Sequence, residues 1–209
     1  MNRHEEADTG TETDMLLSRA KAGDGEALGR LLQRYRNYLA LLARLRMGRR
    51  LQGKLDVEDL LQELSMEAHK DVAQFRGGTE AEFLAWLRQV LAAILSNQVR
   101  RYFGTRRRDP RRERRITAEL DRSSRALDHK LIAPQSSPSH QVARREQAVI
   151  LADALGELPE AYREVIILRQ LEGLSFPEVA RRMERTEDSV KNLWARALAR
   201  LRQAMEDPR

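Results

Sequence analysis

The chain has 209 residues, enough for one domain or two small ones. It contains no Cys, which excludes disulfides and thiolate metal sites, and its 41% apolar and 33% charged residues with only 11 Gly and 6 Pro favour helices over sheets. The formal net charge of +6 and a pI near 10.0 suit a polyanionic partner. No apolar run approaches the roughly 18 to 20 residues that span a bilayer, the best candidate from Tyr38 to Leu45 being short and broken by Arg44. Residues Met1 to Thr13 form a polar tail with four acids, the opposite of a secretory signal, so a cytoplasmic protein without membrane insertion is expected.

From Asp14 the sequence reads as helices. Leu28, Leu31, Leu32, Tyr35, Leu39, Leu42 and Leu45 recur at the spacing of one apolar helix face. A second helix opens at Asp56, whose carboxylate can cap free backbone amides, and carries Val57, Leu60, Leu61, Leu64 and Ala68 as its stripe. Arg76, Gly77 and Gly78 break the pattern. A longer helix then begins near Glu80, with Phe83, Leu87, Val90, Leu91, Ile94 and Leu95 on one side, and ends in Arg100, Arg101, Tyr102 and Phe103. This first domain is placed at 14–104.

Periodicity fades after Gly104. Nine Arg stand between Arg100 and Arg115 against Asp109 and Glu113, which alone fits a solvated loop as well as a nucleic-acid contact. With the run Ala133-Pro134-Gln135-Ser136-Ser137-Pro138-Ser139, residues 105–143 read as a flexible linker, too long for a loop inside one compact domain.

The second domain, 144–206, holds four helical patterns. Leu158-Pro159 starts one, since Pro needs no N–H donor in a first turn, and Gly173 ends it as a left-handed cap. Ser175-Phe176-Pro177-Glu178 is a capping box opening a short helix to about Met183. After a turn at Glu184-Arg185, Thr186 can cap a last helix with Glu187 and Asp188 in its positive first turn. Its buried stripe is Val190, Leu193, Trp194, Ala197, Leu198 and Leu201. Ser189, Lys191, Asn192, Arg196 and Arg200 lie opposite, a donor-rich face suited to a major groove. Spacing alone fits either a helix-turn-helix or an ordinary helical hairpin with a solvated face; the Arg and Lys excess favours the former.

Catalysis finds little support. The four His, at positions 4, 69, 129 and 140, have no metal-ligand spacing, and neither a phosphate-binding Gly loop nor a nucleophile motif is present, so no enzyme activity, metal or cofactor is expected.

Two strings, Leu158-Pro159-Glu160-Ala161-Tyr162-Arg163-Glu164-Val165 and Glu172-Gly173-Leu174-Ser175-Phe176-Pro177-Glu178-Val179-Ala180, resemble region four of bacterial RNA polymerase sigma factors of the extracytoplasmic-function (ECF) type in the sigma-70 family. Asp56-Val57-Glu58-Asp59-Leu60-Leu61-Gln62-Glu63 is similar to the family's region two signature, and Phe75-Arg76-Gly77-Gly78 with Phe83, Trp86 and Leu87 looks like its loop and third helix. The resemblance covers about Asp14 to Met205, in the family's order. It implies an all-α fold of two helical domains, no cofactor, and promoter DNA and core RNA polymerase as partners, the latter through the largest-subunit clamp helices and the flap. An anti-sigma factor is a further partner common in the family. It also implies minus-35 DNA contacts from Thr186, Ser189, Lys191, Asn192, Arg196 and Arg200, minus-10 contacts from Arg88, Asn97, Gln98, Arg100 and Arg101, and polymerase contacts from Asp56, Glu58, Asp59, Gln62 and Glu63. The chain departs from the family at Glu184, where Gly is usual, at Leu193, where Arg is common, and at Ala93 and Asn97, where Asn and Asp are frequent. A stand-alone helix-turn-helix regulator is the alternative; such proteins usually need two half-sites or a ligand domain.

Overall fold

The computed structural model describes residues 3–52, 55–103, 114–123 and 139–206, with side chains described from residue 12 to 47, 55 to 102, 114 to 123 and 146 to 206. Most of the expected linker, including Arg106, Arg107, Arg108 and the Pro134 to Pro138 run, lies outside them. Every regular element among the described residues is helical, and the chain divides into two units, Met1–Arg122 and Ser123–Arg209.

The first unit contains α1 (Arg3–Lys21), α2 (Gly25–Arg34), α3 (Arg36–Gln52), α4 (Val57–Asp71), α5 (Glu80–Phe103) and α6 (114–123). Helix α1 begins eleven residues before Asp14, and Thr13, within the expected tail, is buried. Gly23, at φ 97°, turns the chain into α2. Asp24 caps that helix: its Oδ1 accepts from the amides of Glu26 and Ala27 at 3.0 Å, while Oδ2 pairs with Arg19 at 2.7 Å. These bonds, the Ala27 amide foremost, hold the Asp24 pKa below its ordinary value.

The apolar stripe from Leu28 to Leu45 spans two helices rather than one. The backbone leaves helical geometry at Tyr35, φ −97° and ψ 6°, although the Leu39 amide still bonds the Tyr35 carbonyl at 2.9 Å. Helix α3 is buried on nearly every side from Tyr38 to Ala43, which places it at the centre of the unit. Leu28, Leu31, Leu60, Leu64, Leu84 and Leu87 complete the core around it.

Helix α6 falls within the stretch read from sequence as linker. It packs on the first unit through Leu120, fully buried, between two ion pairs: Arg46 to Glu119 at 2.9 Å and Arg88 to Asp121 at 2.8 Å. Burying one Leu contributes about 2 kcal/mol.

The second unit contains α7 (Ser139–Glu157), α8 (Glu160–Ile166), α9 (Phe176–Arg182) and α10 (Glu187–Glu206). Pro159 stands at the N-cap of α8, one residue before the first turn. Arg163 of α8 closes the end of α7, donating at 2.9 Å to the carbonyls of Leu155, Gly156 and Leu158. Helix α8 runs on into a wide π turn, Ile167–Leu171, where the Glu172 amide reaches back five residues to the Ile167 carbonyl at 2.9 Å. Gly173 follows at φ 78°, the expected left-handed cap. Val165, Ile166, Val179, Val190 and Ala197 meet in the core, with α10 crossing α7, α8 and α9.

Candidate nucleic-acid interface

The capping box that opens α9 forms as the sequence predicts. Glu178 Oε2 accepts from the Ser175 amide at 2.7 Å and from its hydroxyl at 2.5 Å, which lowers the Glu178 pKa, the hydroxyl contributing most. Helix α9 then stops at Met183. Glu184 takes φ 54°, and the Arg185 amide bonds the Ala180 carbonyl at 2.9 Å, so a residue with a side chain occupies the left-handed turn position where glycine is usual. Thr186 Oγ1 accepts from the Ser189 amide at 3.3 Å and starts α10.

A short helix, a tight turn and a longer helix therefore meet as a helix-turn-helix. On α10, Val190, Ala197 and Leu201 are buried, while Leu193, Trp194 and Leu198 are half-buried. Thr186, Lys191, Asn192, Arg196 and Arg200 are exposed, and Ser189 is half-buried. Lys191 is steadied by Glu187 at 2.8 Å, whose hydrogen bond raises the ammonium pKa, and Arg200 donates to Gln203 at 3.1 Å. These surface partners are of the weak, exchangeable kind that phosphate can displace.

Behind that face sits an interaction that spacing along the chain does not reveal. Arg169, in the π turn, lies 4.8 Å from the Phe176 ring centre and donates to the Leu174 carbonyl at 3.2 Å. Phe176 in turn meets Trp194 edge to face at 5.6 Å. The π turn, the start of α9 and the middle of α10 are thereby locked together.

In the first unit, the polar residues at the start of α4 divide into two groups. Asp56 Oδ1 caps the helix through the Glu58 amide at 2.9 Å, Glu58 pairs with Arg36, and Glu63 accepts from Gln98 at 2.8 Å. Asp59 and Gln62 are exposed, and both line an open groove of about 480 Å³ between α4 and the α2–α3 pair, together with Leu32, Gln33, Arg36 and Glu58.

The residues expected at minus-10 DNA all stand on α5 but in different settings. Arg88 has only 14% of its side chain exposed and bonds Asp121 and, at 3.4 Å, the Tyr38 hydroxyl. Asn97 accepts from Arg100, and Arg101 is exposed beside Tyr102. The loop before α5 is anchored: Glu82 Oε2 accepts from the Gly78 amide at 2.9 Å and from the Thr79 amide and hydroxyl, which depresses the Glu82 pKa, Gly78 contributing most. Phe83 is fully buried and Trp86 half-buried, joined with Phe75 and Tyr35 by ring contacts of 5.3 to 6.2 Å. Phe83 thus belongs to the core. Among the described residues no group of His, Asp and Glu is disposed to hold a metal, and no helix is long and apolar enough to cross a membrane.

A helix-turn-helix with an outward donor face, in one chain with an acidic helix beside an open groove, defines a DNA-binding protein of transcription. The family model for Sigma-70 region 2 matches residues 31–108, and that for Sigma-70, region 4 matches residues 148–201. The chain is 29% identical over 182 residues to the ECF RNA polymerase sigma-E factor of Haemophilus influenzae, covering 87% of this chain and 89% of that protein. It is 30% identical over 192 residues to the ECF RNA polymerase sigma factor BldN of Streptomyces coelicolor, covering 92% of this chain and 65% of that protein. A solved structure of CnrH in complex with the cytosolic domain of CnrY shares 22% identity at a TM-score of 0.32, covering 95% of this chain and 99% of that chain. The chain belongs to the sigma-70 family of RNA polymerase sigma factors, in its extracytoplasmic-function group.

Proposed function

We propose that this sigma factor joins core RNA polymerase in the cytoplasm and divides promoter recognition between its two units. The observation that carries the reading is the α9–turn–α10 motif, whose buried stripe fixes it while Lys191, Asn192, Arg196 and Arg200 face outward. Those residues, with Thr186 and Ser189, read and hold the duplex minus-35 element: amide and guanidinium donors discriminate base edges, and the ammonium holds phosphate. In the first unit, Asn97, Gln98, Arg100 and Arg101 attend the melted minus-10 strand at the basic end of α5. Arg88, already bonded to Asp121 and Tyr38, supports that helix from behind.

The groove beside α4, lined by Glu58, Asp59 and Gln62, docks the clamp helices of the polymerase, with Asp56 at the cap of the same helix and Glu63 bonded to Gln98 on its α5 side. An acidic helix start meeting a basic coiled coil gains orientation as well as attraction, and the second unit takes the flap. An anti-sigma factor that covered either the α4 acids or the α10 donors would hold the protein inactive. Nucleotidyl transfer stays with core polymerase, so this chain needs neither catalytic residues nor a cofactor.

Run-off transcription from a genomic fragment library tests the reading, using purified core polymerase with and without the protein at physiological salt. Discrete start sites that require the protein support it. Absence of stimulation together with absence of core binding would point to a stand-alone regulator.

A further inference from the structure

The outward face of α6 carries charge of one sign. At 100° per residue, Arg114, Ala118, Arg122 and Arg115 fall within an arc of about 100°, and all four are exposed. Leu120 lies opposite, fully buried, with Glu119 and Asp121 on the two flanks. The charges are thus sorted: the acids turn inward to Arg46 and Arg88, and the arginines turn outward. Arg122 keeps a loose pairing with Glu119 at 3.8 Å and is 67% exposed, so its guanidinium is open to other anions.

Docking of this helix hides two cations of the first unit, Arg46 and Arg88, and replaces them with three on a new surface. The solvent face of a packed helix is ordinarily charged, but here it carries charge of one sign only. The docking point lies beside α5, and the Arg100–Arg101 end of α5 stands twelve residues beyond Arg88, about 18 Å of helix. The two basic features belong to one folded unit, tied by the Arg88–Asp121 pair.

We infer that the outer face of α6 is a binding surface for the phosphate backbone of duplex promoter DNA flanking the melted segment. Arg114, Arg115 and Arg122 act as the cations, and the inference rests on the sigma reading above. Duplex DNA is favoured because the face is a line of guanidinium groups with no apolar residue larger than Ala118, which matches a polyanionic ridge and offers nothing for a base or a peptide to stack on.

The experiment uses holoenzyme reconstituted from core polymerase and the full chain, with promoter binding followed as a function of salt. Replacing Arg114, Arg115 and Arg122 together by Ala is expected to lower the magnitude of the log K against log salt slope by about 2 to 3, near 0.9 for each phosphate no longer neutralised. Affinity at moderate salt should fall about tenfold or more, with the preferred minus-10 and minus-35 sequences unchanged. The corresponding Lys variants, which keep the charge, should restore most of the slope. Helical content by circular dichroism and affinity for core should match the wild type. An unchanged slope overturns the inference, as does a loss confined to core affinity, which would make the face a polymerase contact. Wild-type run-off activity in the same preparation separates failure of this surface from failure of the sigma reading.

Discussion

Lys21, the last residue of α1, donates its ammonium to the carbonyl of Gly77 at 2.8 Å and lies 5.8 Å from the centre of the Phe75 ring. A helix end thus holds a loop 56 residues away, ahead of the helix proposed to receive single-stranded DNA. Gly77 is fixed from the other side as well, since a Cβ there would stand 2.2 Å from Phe75 Cζ and 2.8 Å from the Glu82 Cβ. Replacing Lys21 by Met removes the charge-assisted bond but keeps the aliphatic stem. Stability of the first unit should fall by about 1 to 2 kcal/mol. Hydrogen exchange at Gly77 and Gly78 should accelerate, and denaturant titration with exchange mass spectrometry checks both.

The Arg88–Asp121 pair is half-screened, with 14% and 40% of the two side chains exposed. A double-mutant cycle of Arg88→Met and Asp121→Asn should give a coupling energy of about 1 kcal/mol in chemical denaturation. A coupling of zero would leave Leu120 and the Arg46–Glu119 pair to hold α6 in place.

Glu184 holds φ 54°, a conformation that is costly for a residue with a Cβ. Replacement by Gly removes the left-handed penalty while adding some freedom to the unfolded chain, a net gain of about 0.5 to 1 kcal/mol. The melting temperature of the second unit should rise, and promoter selectivity in transcription assays should not change.

Acid should weaken both units. Asp24, Glu82 and Glu178 all have pKa values lowered in the fold, by backbone amides in the first two and by the Ser175 hydroxyl in the third. A group of this kind contributes stability that is fully present above its unfolded pKa, 3.8 for Asp and 4.5 for Glu, and lost as pH falls through the lower folded value. Glu164 runs the other way: burial first, then Glu160, raises its pKa, so its charge strains the fold at neutral pH and acid relieves it. Denaturation midpoints should therefore drop below about pH 4.5. Glu178→Gln should flatten that drop in the second unit, and Glu164→Gln should stabilise the same unit near neutrality.

The second unit is legible in sequence because its boundaries are written in local chemistry. Ser175 and Glu178 name a helix start, Gly173 a helix stop, and Thr186 the next start, each within four residues of its partner. Asp56 announces α4 in the same way. Helix α6 is hard to read for the opposite reason. It has two apolar residues facing inward, Ile116 and Leu120, and its stabilising partners Arg46 and Arg88 lie 73 and 33 residues away. The break at Tyr35 is equally hidden, since the three-and-four spacing continues straight through it. The proposed contact residues are legible as a donor-rich face, but spacing cannot tell which donors the fold has already engaged. Arg88 and Gln98 both have partners on other helices, and nothing in their neighbours along the chain announces it.

The π turn at Ile167–Leu171 adds a residue to a helix without adding a turn. Wound as an ordinary α-helix at the same chain length, this stretch would swing everything after it by about 100° about the α8 axis. The angular phase between the Arg163-clamped base of the unit and the helix proposed to face DNA is therefore stored in a backbone irregularity. An engineer who grafts α9 and α10 onto another scaffold must carry that irregularity along, because a regular helix in its place would present the same side chains to empty solvent.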